Sequence, residues 1–260
     1  MSIFNITKEG LRQALCMGNI KPAFQPIITV SEKNSASLSG LEVLARWHMQ
    51  NGSVIPAYEF IAQAVRSGIE MELAQTMMEK SAPVVRKLAE DSGRSLVVGV
   101  NSGPVCLAHP LFEEACALFI SACRGVDVSL ALEITEQEPL MESLVPVLER
   151  LRELGIKIVL DDFGTGFATD KVLPWLKPDI VKLDRSLTML AQGGDPLGRL
   201  SAVLETICNH DATVLAEGVE TYEAYDWLYT SGVRLYQGYL FGRPVPPEEL
   251  SLQLIFPHSG

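Results

Sequence analysis

IVLDDFGTG, residues 158–166, is an apolar run that ends in two adjacent aspartates, Asp161 and Asp162, and a turn containing two glycines. A short apolar run bounded by turn residues is typical of a strand buried on both faces of a parallel sheet. Two like charges at its end repel each other unless a cation or a helix end lies nearby. The stretch therefore predicts a buried strand that delivers two carboxylates to one end of a sheet.

The same kind of segment recurs along the chain. Other predicted strands are AFQPIITV (23–30), SLSGLEVLAR (37–46), SLVVGVN (95–101), VSLALEITE (128–136), DIVKLDRS (179–186), ATVLAEGVE (212–220) and VRLYQGYLFG (233–242). Helical periodicity separates most of them, at 58–66, 70–90, 111–123, 139–155, 197–209 and 221–230. Strands alternating with helices over this length predict an α/β fold, a (β/α)8 TIM-like barrel, as one domain covering residues 1–260. A doubly wound open sheet is the rival, but the glycine-rich phosphate turn expected after its first strand is not visible.

The first connection departs from a regular barrel. Only SEKNSA (31–36) separates the first two predicted strands. A parallel crossover needs a dozen or more residues, so these strands are expected to form an antiparallel hairpin. The prediction becomes a modified barrel with one antiparallel strand.

Composition limits the function classes. The formal net charge of -11 disfavours binding to a nucleic acid polymer. The five cysteines form no CxxC pair, which disfavours a disulfide framework or a zinc site and indicates a reducing compartment. No apolar run approaches the roughly 20 residues that span a bilayer, and the first residues do not form a signal peptide. We therefore expect a cytoplasmic protein without membrane contact.

Polar side chains lie at or near the ends of most predicted strands. They are Glu42, Asn101, Glu133, Asp161, Asp162, Lys182, Glu217 and Gln237. The carboxyl ends of barrel strands converge on one mouth, so these residues become neighbours. Several carboxylates there need neutralising cations, and carboxylate and amide oxygens suit Mg²⁺ or Mn²⁺. One aspartate of the adjacent pair can bridge two ions while the other serves one.

Other interpretations exist for single members of this set. A lone glutamate or asparagine at a strand end is more often a cap, and a lone lysine is more often a salt-bridge partner. Glu133 and Glu217 could also form the acid and nucleophile of a glycosidase, but that scheme gives no role to Asn101, Lys182 or the aspartate pair. The occurrence of such residues on successive strands favours one shared metal site.

At these residues the chain resembles the EAL-domain family of cyclic di-GMP phosphodiesterases, over about residues 10–250. The resembling stretches are FQPI (24–27), LEVLARW (41–47), VN (100–101), LEITE (132–136), DDFGTG (161–166), VKLD (181–184), AEGVET (216–221) and QGYLFGRPVP (237–246). The resemblance implies a barrel that binds two Mg²⁺ or Mn²⁺ ions and hydrolyses cyclic di-GMP, a second messenger of biofilm and motility control, to linear pGpG.

The resemblance also implies roles for individual residues. The implied metal ligands are Glu42, Asn101, Glu133, Asp161, Asp162 and Glu217. Glu217 is alternatively the general base, and Lys182 holds the attacking water and the ion cluster. The implied substrate-binding residues are Gln25, Leu44, Arg46, Asn101, Asp184 and Gln237. Glu220 is implied to be structural near the site.

The family also implies a homodimer formed in part by the helical region after Phe167, with Glu136 anchoring the DDFGTG loop. The chain departs from the family pattern at Val65, where many relatives carry glutamate, and at Gly103, where a serine is expected. The alternative function is a non-hydrolytic module of the same family that binds cyclic di-GMP or a protein. Such members typically lose metal ligands, whereas the ligand positions are retained here.

Overall fold

The computed structural model describes residues 6–32, 35–135, 140–164 and 169–250. Its strands are β1 (Ile20–Glu32), β2 (Ser35–His48), β3 (Val54–Ile55), β4 (Leu96–Asn101), β5 (Val128–Thr135), β6 (Lys157–Phe163), β7 (Ile180–Leu183), β8 (Thr213–Ala216) and β9 (Leu235–Tyr236). Its α-helices are α1 (Lys8–Cys16), α2 (Ala57–Ser67), α3 (Glu70–Ser92), α4 (Pro104–Leu107), α5 (Phe112–Ala122), α6 (Val145–Glu153), α7 (Thr169–Leu176), α8 (Arg185–Thr188), α9 (Arg199–Cys208) and α10 (Tyr222–Thr230). Short 3-10 turns occupy Glu142–Leu144, Met189–Gly193 and Pro247–Glu249.

Eight of these strands close into a barrel in the order β1-β2-β4-β5-β6-β7-β8-β9, with β9 returning to β1. β1 runs antiparallel to both β2 and β9, and the other neighbouring pairs in the barrel are parallel. β3 adds a short antiparallel extension to β2 outside the closed ring. The predicted TIM-like barrel with one reversed strand is therefore confirmed.

The apolar core lies largely between the barrel and the helices that surround it. Strand residues such as Val98, Val100 and Leu160 are buried, as are Met78 on α3 and Leu148 on α6. In a strand, successive side chains point to opposite faces of the sheet. The outward faces therefore supply this core, while the alternate positions are free to carry polar groups toward the barrel axis.

Three details differ from the sequence expectation. The helix predicted over 139–155 begins at Val145, with Pro146 in its first turn, where a missing amide hydrogen is tolerated. α1, α4, α7 and α8 were not predicted, and none of them is longer than nine residues. The strand predicted over 233–242 covers only Leu235–Tyr236. There the chain turns at Gly238, where an added Cβ would lie 2.2 Å from the carbonyl oxygen of Val219.

No helix among the described residues is both long enough and apolar enough to cross a membrane.

Candidate functional site

The two adjacent aspartates owe their placement to an irregularity in β6. Leu160 pairs with Val181 of β7 and Phe163 pairs with Leu183, so β6 holds one residue more than β7 across this interval. Asp162 has a φ of 58°, a left-handed conformation that aspartate adopts more readily than most residues. In a regular strand the two side chains would lie on opposite faces, whereas this bulge lets both line one cavity.

The ammonium group of Lys182 lies at the centre of the barrel mouth. Its Nζ is 2.7 Å from Glu133, 2.7 Å from Glu217, 3.2 Å from Asp161 and 3.5 Å from Glu42. The lysine side chain is only 1% exposed. Carboxylates from β2, β5, β6 and the end of β8 therefore share one buried positive charge.

Two side-chain amides from other strands hold Glu42 in this cluster. The side-chain amides of Asn101 and Gln237 donate hydrogen bonds to its two oxygens, at 3.2 Å and 2.6 Å. Gln25 faces Glu42 in the β1–β2 register, and its amide donates to the carbonyl of Gly242 at 3.4 Å. The reversed strand β1 thus completes the polar ring, because its register with β2 places Gln25 beside Glu42.

The local field shifts the pKa of several groups. Burial lowers the pKa of Lys182, but the four carboxylates outweigh burial, and the pKa lies well above its ordinary value. Burial, followed by repulsion from Glu42, raises the pKa of Glu133 well above the ordinary value. Burial raises the pKa of Glu217 to about 8. Burial, with repulsion from Asp161, raises the pKa of Asp162 to about 6.

Glu42 behaves in the opposite way. Burial raises its pKa, but Lys182 and the two amide hydrogen bonds outweigh burial, and the pKa is lowered. One buried cation therefore keeps some carboxylates charged while others are poised to hold a proton. Such a field, with carboxylates in excess, favours the binding of additional cations.

The donor set fits a hard metal ion. Asp161, Asp162 and Glu217 each offer a carboxylate oxygen, and these oxygens lie within 4.8 Å of one another. Glu42 and Glu133 also contact the Lys182 ammonium, and Asn101 donates a hydrogen bond to Glu42. Oxygen donors of this kind are those that Mg²⁺ and Mn²⁺ prefer.

The remaining predicted residues lie around the same mouth or outside it. A cavity of about 340 Å³ is lined by Gln25, Leu44, Asp184, Glu220 and Gln237 together with Lys182 and the carboxylates Glu42, Asp161, Asp162 and Glu217. Asn101 and Glu133 line a neighbouring cavity instead. Asp184 caps α8 by accepting hydrogen bonds from Ser186. Arg46 is half-buried two residues beyond Leu44, on the same face of β2, but is not among the cavity-lining residues. Glu136 and Phe167 lie outside the described residues.

Sequence reasoning missed Arg185 and Tyr239, which also line this cavity. Arg185 forms an ion pair with Glu220 at 3.0 Å. Tyr239 is half-exposed in the cavity wall, with the guanidinium of Arg243 at 3.9 Å from its ring centre. Arg185 directly follows VKLD, and Tyr239 lies within QGYLFG, so both are close to stretches that the sequence singles out. Their contacts with Glu220 and Arg243 follow only from the fold.

Comparisons with known proteins place the chain among similar domains. The EAL domain model matches residues 8–244. "Probable cyclic di-GMP phosphodiesterase PdeG" of Escherichia coli (strain K12) is 36% identical over 241 residues, which are 92% of this chain and 47% of that protein. "Cyclic di-GMP phosphodiesterase PdeL" of the same organism is 28% identical over 258 residues, covering 98% of this chain and 70% of the relative. The chain thus spans about half the length of PdeG.

A solved structure described as "PaMucR Phosphodiesterase, c-di-GMP complex" superposes with a TM-score of 0.81 at 26% sequence identity. The match covers 94% of this chain and 98% of that one. A cyclic di-GMP complex of the Xanthomonas citri FimX EAL domain superposes with a TM-score of 0.76 at 20% identity, covering 94% of this chain and 95% of that one. At that identity the second likeness shows the fold alone.

The position of Glu133 depends on Gly99 of the neighbouring strand. A Cβ added at Gly99 would lie 1.8 Å from Oε1 of Glu133. We expect Gly99→Ala to displace this carboxylate from Lys182 and to lower the free energy of unfolding by about 1–3 kcal/mol, the usual cost of overpacking. Chemical denaturation of both proteins measures this loss.

Gly193→Ala is the matched control for Gly99→Ala. An added Cβ there meets its nearest atom at 4.0 Å, and the backbone is not left-handed. The control should retain wild-type stability. If Gly99→Ala is as stable as Gly193→Ala, the carboxylate of Glu133 does not occupy the space beside Gly99.

Proposed function

The chain belongs to the EAL-domain family, and we propose that it is a metal-dependent phosphodiesterase that hydrolyses cyclic di-GMP to linear pGpG. The names of the relatives support the substrate, because PdeL is described as a cyclic di-GMP phosphodiesterase and PdeG as a "probable" one. The observation that carries the proposal is the cluster of Glu42, Glu133, Asp161 and Glu217 around Lys182, with Asp162 beside it.

Two Mg²⁺ or Mn²⁺ ions are the proposed cofactors. Their proposed ligands are Glu42, Asn101, Glu133, Asp161 and Asp162, with Glu217 as a further ligand or as the base. Bound ions of this kind supply positive charge and lower the pKa of coordinated water. The excess of carboxylates over the single buried ammonium supports this assignment, because added cations would relieve their repulsion.

The reaction transfers a phosphoryl group to water. A water oxygen forms a bond to phosphorus, the bond from phosphorus to one ribose oxygen breaks, and that oxygen takes up a proton. Glu217 is the proposed acceptor of the attacking water's proton, and bound cations beside it would favour the charged carboxylate that this role needs. Lys182 supplies a fixed positive charge next to Glu217, at 2.7 Å.

Substrate contacts are proposed for the rim of the mouth. Glu42, Leu44 and Arg46 lie on one face of β2, so the arginine follows the acidic cluster outward. Its guanidinium can present a forked donor to a phosphate. Gln25, Asp184 and Gln237 are further proposed substrate contacts that line the cavity, and Asn101 is one beside Glu42. Glu220 forms an ion pair with Arg185. The homodimer and the cytoplasmic location stay predictions from the sequence.

Hydrolysis is tested by incubating the purified protein with cyclic di-GMP and following pGpG by chromatography. We expect product with Mg²⁺ or Mn²⁺ and none after exhaustive chelation. Asp161→Asn should lower the rate by at least about 100-fold, because it removes a charge from the proposed ligand set. Asp91→Asn is the matched control, since Asp91 forms an exposed pair with Lys87 on α3.

Turnover that continues unchanged in chelator contradicts metal dependence. Retention of cyclic di-GMP in equilibrium dialysis with no pGpG at any metal concentration supports the alternative, a binding module of the same family.

Two glutamates of the cluster are expected to respond differently to metal. Glu42→Gln should weaken metal binding, because the amide is a poorer ligand, and high Mn²⁺ should restore part of the rate. Glu217→Gln should stay slow at saturating Mn²⁺ if Glu217 is the base. The measurement is the rate as a function of Mn²⁺ concentration. Full recovery of Glu217→Gln at high Mn²⁺ assigns Glu217 to metal binding instead.

A further inference from the structure

A second cavity adjoins the mouth beneath the end of β4. It has a volume of about 120 Å³ and lies among β2, β4, α2 and α3. Most of its lining is aliphatic, including Val65 of α2 and Ala74 and Met77 of α3. The segment Asn101–Gly103 also lines it, so this end of β4 borders empty space on one side.

Glu70 is the charged residue that reaches this segment from α3. Its Oε1 accepts a hydrogen bond from the backbone amide of Gly103 at 2.9 Å. Its Oε2 is buried, and within the described part of the chain it has no hydrogen-bond partner. Gly103 precedes α4 and has no side chain with which to cap that helix. The glutamate therefore satisfies, from another element, a backbone donor that would otherwise be buried without an acceptor.

The segment held by Glu70 leads directly to the acidic cluster. Asn101 stands two residues before Gly103 and donates its side-chain amide to Glu42, which contacts Lys182. Ser102 donates its backbone amide to the carbonyl of Glu133 at 2.8 Å. Because the cavity removes packing support on one side, these hydrogen bonds fix where Asn101 points.

We propose that Glu70 is a positioning residue for Asn101. It holds the Asn101–Gly103 segment through the Gly103 amide and so sets the orientation of the Asn101 side chain toward Glu42. The consequence for metal rests on the proposed function, in which Asn101 is a ligand. Glu70 would then act on the metal site through one intervening segment, without touching an ion or the substrate.

Three variants separate this role from a general effect on α3. Glu70→Met keeps a side chain of similar length but has no acceptor for the Gly103 amide. Glu70→Gln keeps an oxygen acceptor for the Gly103 amide. The new amide nitrogen takes the place of Oε2, which makes no hydrogen bond within the described residues, so no existing contact is lost. Glu72→Met is the matched control in the same helical turn, where Glu72 is 47% exposed and pairs with Arg12.

The first measurement is made on the full chain in chelator. Nuclear magnetic resonance follows the side-chain amide signal of Asn101 and the hydrogen exchange of the Gly103 amide. Glu70→Met should shift or broaden the Asn101 signal and speed Gly103 exchange at least about tenfold, while Glu70→Gln and Glu72→Met should match the wild type. An unchanged Asn101 signal in Glu70→Met overturns the proposal, whether or not the protein binds metal or hydrolyses cyclic di-GMP.

The second measurement is calorimetric titration with Mn²⁺. Residues that orient metal ligands typically change metal affinity about 10- to 100-fold, so Glu70→Met should bind Mn²⁺ at least about tenfold more weakly. Glu70→Gln should recover affinity to within about threefold. If the wild-type protein binds Mn²⁺ but yields no pGpG, the proposed function is contradicted, whereas the positioning role of Glu70 is not. Equal Mn²⁺ affinity in Glu70→Met and wild type would overturn the positioning role at the metal site.

Discussion

The polar mouth of the barrel depends on the buried ammonium of Lys182. Four carboxylates lie within 3.5 Å of its Nζ, and they come from strands that are distant in sequence. Without a cation, taking these groups out of water and bringing them together would be strongly unfavourable. The barrel can therefore keep an acidic centre only because β7 places a lysine at its middle.

One ammonium leaves this cluster incompletely neutralised. Glu217 and Asp162 have raised pKa values, which shows that their charged forms are disfavoured where they lie. The same excess of negative charge is what a divalent cation would relieve. The backbone supports this arrangement at two points. The left-handed conformation of Asp162 lets two neighbouring aspartates face the same cavity. Gly99, which has no side chain, leaves room for the carboxylate of Glu133. The same few residues therefore affect both the stability of the barrel and the proposed chemistry.

Much of the barrel could be predicted from the sequence, because apolar strands, helical periodicity and a short first connection are local patterns. The convergence of Glu42, Glu133, Asp161 and Glu217 followed from barrel geometry. The bulge at Asp162 was not predictable from strand periodicity, because that pattern places adjacent residues on opposite faces. Glu70 was also missed, since its contact with Gly103 joins two elements through tertiary packing. The strand predicted to 242 ended at Tyr236 because Gly238 approaches the backbone of Val219 closely.

The dependence of the mouth on Lys182 is tested most directly by the free energy of unfolding of Lys182→Met and wild type, both in chelator, at pH 5 and pH 8. The raised pKa values of Glu133, Glu217 and Asp162 mean that these groups hold more protons in the folded than in the unfolded state between pH 4.5 and about 8, so their contribution to stability falls as pH rises through this range. Removing Lys182 should raise these pKa values further and steepen the fall. We predict a loss of about 3–5 kcal/mol at pH 8, the usual cost of breaking a buried ion pair, and a clearly smaller loss at pH 5. An equal loss at both pH values, or a larger loss at pH 5, would contradict the claim that Lys182 holds the carboxylates together by its charge.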